Sequence, residues 1–192
     1  MKRACIHHIE RFRKWVVVSG ARSVKVDDTN RLLEVFKEKL GVEHQLLDAD
    51  YIASPKHLLS SAYHALAAFE LGENIARSLA MEVLLYASAN RQISEALSLL
   101  GLKTGMRNVA FVAICETEEE AKRCARLFSD LVGESKVSME VLEVTPSKAS
   151  LIKEAFDIGD DEVLVLTSMG INEEEALVEI VLERVALLAA RR

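Results

Sequence analysis

The stretch over residues 72–101, GENIARSLAMEVLLYASANRQISEALSLLG, constrains this chain more than any other. It reads as one apolar helix over residues 77–100. A helix that is apolar on most of its sides must be covered on most of its sides, so the remaining elements have to build layers around it. Arg77 and Arg91 stand near its polar ends, and Asn90, Arg91 and Gln92 are consecutive polar residues among leucines and alanines. Fixed cations at the edges of a buried helix suit the binding of an anion or a polar partner. No acid–base pair, nucleophile or metal cluster lies near them in sequence, which points to recognition rather than catalysis.

A chain of 192 residues predicts one domain over residues 1–192. Half of the residues are hydrophobic, enough for a large core. With two prolines and eight glycines there is no linker, low-complexity tract or repeat to divide it. No apolar run approaches the roughly 18 residues of a membrane span, and the opening residues lack the apolar run of a signal peptide. Cys5, Cys115 and Cys124 are odd in number and have no CxxC spacing. That pattern predicts reduced thiols in a cytoplasmic protein, not a disulfide frame or a zinc site. Net charge is uneven: +2 over residues 1–52, +1 over 53–107 and −9 over 108–192. Such a balance excludes general coating of nucleic acid and leaves room for a focused contact through a few cations.

Along the chain, WVVVS at 15–19 predicts a strand. A helix capped by Asp28 or Thr29 follows, with Leu32, Leu33, Phe36 and Leu40 on one face and Gly41 at its end. A short strand over 44–47 comes next. Ser54 and Pro55 are a helix start, and that helix runs to Leu71 before Gly72. The short turn after it makes the 55–71 and 77–100 helices antiparallel neighbours, which brings Lys56 toward Arg91. VAFVAIC at 109–115 predicts a central strand, and Thr117 with Glu120 a capping box opening a helix to about Leu131. The alternation over 139–144 predicts a strand, and a helix follows over 147–156. Residues 160–168 carry both a strand-like VLVL and an acidic helix start; helix is the favoured reading. Asn172 caps the last helix. The expected fold class is mixed α/β: a single domain with a mixed sheet of about four strands packed with helices.

The chain has no Walker loop, GxGxxG, GxSxG or HExxH pattern. His57 and His64 are seven apart on one helix but lack a third ligand, so a core or surface role is the simpler reading. Asp48 and Asp50 fit turn chemistry. Arginine forks onto phosphate oxygens, and Asn or Gln pairs with a base edge or a ribose hydroxyl, so Lys56, Arg77, Asn90, Arg91 and Gln92 are candidate phosphate or nucleic-acid contacts, with solvated helix faces as the alternative. In the final helix Ile180, Arg184, Leu187 and Arg191 follow at helical spacing. A mixed apolar and arginine face marks a partner interface, while deeper burial explains the same pattern.

The segments LLDADYI at 46–52, KHLL at 56–59, MEVLLYAS at 81–88 and NRQISEAL at 90–97 give the chain a family likeness. It resembles the TPRKB-type accessory subunits of the KEOPS complex, small proteins that bind an atypical kinase subunit; ERVALL at 183–188 also fits. The resemblance covers most of the chain and is best over 45–105. Arg91, Gln92 and Ile93 are closer to the archaeal branch, whose pattern has a glycine near the position of Ala89. The resemblance implies a non-catalytic role with no cofactor and no metal. KEOPS installs threonylcarbamoyl on an adenosine beside the tRNA anticodon. This subunit docks on the kinase N-lobe, supports activity, and binds the single-stranded 3′ CCA end of tRNA. Recognition of single-stranded RNA uses phosphate cations, stacking and ribose contacts, and needs no basic protein overall. On this reading Lys56, Arg77 and Arg91 hold phosphates, Asn74, Ile75 and Gln92 reach bases, and Ile180, Arg184 and Leu187 face the kinase. The alternative is a docking module of the kinase with no RNA binding of its own.

Overall fold

In a computed structural model, residues 3–190 are described. Four strands, β1 (Cys5–Ile9), β2 (Lys14–Val26), β3 (Glu43–Asp48) and β4 (Gly105–Cys115), form one sheet in the order β1-β2-β4-β3. The strand number matches the sequence expectation. Mixed directions were expected there, but all three pairings are antiparallel.

The two central strands carry unbroken apolar runs, residues 15–18 of β2 and 109–115 of β4, where both of their faces are covered. Val16, Val18, Leu47, Ala110, Val112 and Ile114 point to one side, against α2 (Pro55–Leu71), α3 (Leu79–Ala87), α4 (Ile93–Leu100) and α8 (Glu173–Ala190). Val17, Leu46, Val109, Phe111, Ala113 and Cys115 point to the other, against α1 (Thr29–Leu40) and α5 (Glu118–Val132). This is the two-sided consequence of side chains alternating along a strand. A third cluster joins α6 (Pro146–Ala155), α7 (Asp160–Ser168) and α8 beside Ala53. The three-layer core buries the α3 region that the sequence required to be covered.

Helix boundaries follow local chemistry. Asp28 accepts from the Asn30 and Arg31 N–H groups, and Ser54 from that of His57. Thr117 accepts from the Glu120 N–H, while the Glu120 carboxylate reaches back to the Glu116 N–H at 2.8 Å. Asn172 caps α8 through the Glu175 N–H. Gly41 and Gly72 take positive φ of 66° and 70° at the ends of α1 and α2, where an L side chain is disfavoured. Residues 160–168 are helical, as favoured. Gly159 donates its N–H to the Glu162 carboxylate there, which starts the turn and outweighs the β-branched run.

Three expectations are corrected. The strand expected over 139–144 is a single 3-10 turn, Met139–Leu142. It packs against β2 where Gly20 has no side chain: a Cβ there would lie 2.6 Å from Val141 and 2.8 Å from the Ser138 carbonyl. The fourth strand is instead β1, an edge strand whose central His7 and His8 are solvent-facing and hide its periodicity. The 77–100 helix is two helices, α3 and α4, separated by residues 88–92. The break comes at Ala89, whose φ is 50°, with Asn90 N–H bonded back to the Leu85 carbonyl at 3.1 Å. Arg77 precedes the Ser78 cap of α3, and Arg91 lies in the break; neither is in a helix.

Candidate functional site

The start of α2 and the end of α3 are joined through His57. Its side chain is fully buried; Nδ1 accepts from the Ala53 N–H at 3.3 Å and Nε2 faces the Ala87 carbonyl at 2.8 Å. A carbonyl can only accept, so Nε2 carries the proton and the ring is neutral. Loss of solvation holds its pKa down to about 4. His57 is therefore a structural core residue, and no group of three or more metal-ligating side chains occurs among the described residues. The bond also places the Lys56 turn at the Ala87 end of α3, the same end from which the Arg91 segment departs, as the antiparallel arrangement predicted.

That departing segment has its own order. Asn90 accepts the Gln92 N–H at 3.1 Å, a local turn that turns the chain into α4. Arg91 and Gln92 are exposed. Among the described residues no side chain caps α4, so its first N–H groups and the positive end of its dipole lie directly beside Arg91 and Gln92; Glu95 shares the turn.

Asn74, Ile75 and Arg77 sit at the opposite end of α3, in the connection from α2. Their loop is shaped by Glu82, a fully buried carboxylate that accepts the N–H of Ile75 at 3.0 Å and of Ala76 at 2.7 Å. Asn74 closes the loop by donating to the Ala76 carbonyl at 2.9 Å. Ile75 and Arg77 are left exposed. The first turn of α3 is already capped by Ser78 and by Glu43, which takes the Ala80 N–H at 2.8 Å. Glu82 was missed in the sequence; its signal was a lone carboxylate inside the run Ala-Met-Glu-Val-Leu-Leu. The six candidate residues thus form two clusters, about 14 Å apart along the nine-residue α3. The groove that Lys56 lines does not include the other five.

Lys56 itself lines a groove of about 690 Å³ between the start of α2 and the α7–α8 hairpin. Leu166, Ile171 and Val178 contribute its apolar wall, and Glu143, Glu175 and Glu179 its acids. The buried Lys148 amine donates to the carbonyls of Ile52 at 2.6 Å and Val141 at 2.9 Å, tying α6 to the turns before α2. Burial lowers its pKa to about 8.

On α8 the three residues expected to face a partner differ in exposure. Ile180 is 3% exposed and belongs to the third core cluster, packed under α7, so a partner cannot reach it. Arg184 pairs with Glu162 at 2.6 Å and braces α7, and Leu187 is half-buried. Arg191 lies outside the described residues. A helix lying across its own neighbour uses the same mixed pattern as one facing a partner, which is why the spacing alone did not separate them.

The sequence profile of the family described as kinase binding protein CGI-121 matches residues 24–189. The regulatory protein Cgi121 of Methanocaldococcus jannaschii is 33% identical over 177 residues, covering 92% of this chain and 99% of that protein. The profile match begins near the end of β2 and runs through the helices and strands that carry the candidate residues, and this chain belongs to the CGI-121 family of kinase-binding proteins.

Proposed function

We propose that the chain is a non-catalytic regulatory subunit that binds the atypical kinase of KEOPS and the single-stranded 3′ CCA end of tRNA, supporting threonylcarbamoyladenosine formation in the cytoplasm. Membership of a kinase-binding family carries the first half of this reading. For the second half, the strongest support is the Arg91–Gln92 segment: an exposed cation and amide beside the uncapped N-terminus of α4. Phosphate is favoured at such a terminus, and an arginine fork adds charge-assisted bonds. Lys56 adds a cation at the same end of α3. Asn74, Ile75 and Arg77 offer a second contact at the other end, held in shape by Glu82. A nucleotide tail running the length of α3 meets cations at both ends.

The test is the affinity of the isolated chain for tRNA with and without its CCA end. Tighter binding of the intact tRNA, lost in Arg91→Glu or Lys56→Glu with the fold unchanged, supports the reading. Each lost phosphate contact lowers the slope of log affinity on log salt by ~0.7 for a single strand. Equal binding to both tRNAs removes the 3′-end assignment and leaves the kinase-docking module alone.

A further inference from the structure

The kinase-facing surface need not be sought on α8, whose apolar residues are largely used internally. The contrast is on α7. Leu164 is 67% exposed, Val165 60% and Met169, at the end of the helix, 73%. Val165 and Met169 are four apart and so lie on one face, and Leu164 and Leu166 flank that face on either side. Leu166 continues it into the groove wall with Ile171 and Val178. Large apolar side chains scattered singly are ordinary; a contiguous ridge running into an apolar groove marks an interaction surface.

Charge identifies the occupant. Residues 157–179 hold eight Asp and Glu and no Lys or Arg. Asp160 and Glu173 are neutralised by Lys153, and Glu162 by Arg184. Among the described residues no ion pair reaches Asp157, Asp161, Glu174, Glu175 or Glu179. An acidic rim around an apolar ridge repels phosphate and therefore tRNA. It also repels a second copy of the same segment. What it attracts is a protein surface with an apolar centre and a lysine- or arginine-rich edge.

We infer that the kinase docks on the α7 ridge of Leu164, Val165 and Met169 and the adjoining groove, with a basic rim on the kinase meeting the acids of residues 157–179. This rests on the kinase-binding reading above; Lys56, which lines the same groove, stands at the border between the kinase surface and the cations assigned to RNA, while Arg91 and Gln92 do not line it. The ridge supplies the desolvated centre, where few residues carry most of the affinity, and the acids supply orientation and association rate.

The experiment titrates the kinase subunit with the full-length chain by calorimetry and by stopped-flow association at two salt concentrations. Met169→Arg places a cation in the apolar centre opposite a basic rim and is expected to weaken binding at least ~10-fold, the scale of a central interface residue. The double variant Glu174→Lys/Glu175→Lys touches only exposed side chains; it is expected to slow association several-fold and to flatten its salt dependence. Met106→Arg, at a methionine 59% exposed on β4, is the control and leaves affinity unchanged. A wild-type chain that fails to bind kinase overturns the kinase reading itself. A wild-type chain that binds, with Met169→Arg and the double variant both binding as tightly, overturns the ridge alone. So does a ridge whose substitution dissolves a homodimer, or weakens tRNA binding, without changing kinase affinity.

Discussion

Replacing Ala89 by glycine stabilises this protein. Ala89 is one of four non-glycine residues at positive φ among the described residues, and it terminates α3 at 50° with its N–H on the Tyr86 carbonyl at 2.9 Å. An L side chain in this left-handed region costs ~1–2 kcal/mol through the close approach of Cβ to the carbonyl oxygen. Glycine removes that cost but loses more backbone entropy on folding, ~0.5–1 kcal/mol. The net gain is therefore ~0.5–1 kcal/mol, which for a domain of this size raises Tm by ~1–4 °C. Calorimetric unfolding reads the shift, and urea unfolding checks that the midpoint moves at unchanged slope, so that the effect is stability and not a change in the unfolded ensemble. Because the substitution leaves the path of residues 88–92 as it is, tRNA affinity stays the same. An unchanged or lowered Tm refutes the attribution of strain to Ala89.

Two further outcomes follow from buried polar groups. His57 titrates near 6.5 unfolded and near 4 folded, so the unfolded chain takes up the proton first. Stability from this group is complete above pH 6.5 and falls by up to ~3 kcal/mol as pH drops to 4. The stability difference between wild type and His57→Gln should shrink by that amount across this window; a constant difference contradicts the buried neutral histidine. Glu82→Ala strips the Ile75 and Ala76 N–H groups of their acceptor and costs ~2–4 kcal/mol, with fast amide exchange at both residues; protected amides contradict the brace.

Much of the fold was legible where a single residue fixes a backbone choice. Asp28 and Gly41, Ser54–Pro55 and Gly72, and Thr117 with Glu120 bound their helices as written, because caps act within one turn. The central strands were legible as unbroken apolar runs. The break between α3 and α4 was not, since Ala89 adopts a conformation its identity argues against. Nor was β1, where an edge position frees His7 and His8 from burial. The 139–142 turn alternates like a strand but is held by the close approach to Gly20, a long-range fact. At the site, exposed cations could be named from sequence, but their division between the two ends of α3 follows from the break. Ile180 and Arg184 had the composition of an interface and are occupied by α7, while the ridge on the outside of α7 was hidden inside a segment ambiguous between helix and strand.

One parallel titration probes the separation of the two faces: Met169→Arg and Arg91→Glu, each measured against the kinase subunit and against CCA-ended tRNA. Crossed losses are expected, with Met169→Arg defective for kinase alone and Arg91→Glu for tRNA alone. Either variant impairing both ligands, or neither variant impairing its own, contradicts two independent surfaces on this fold.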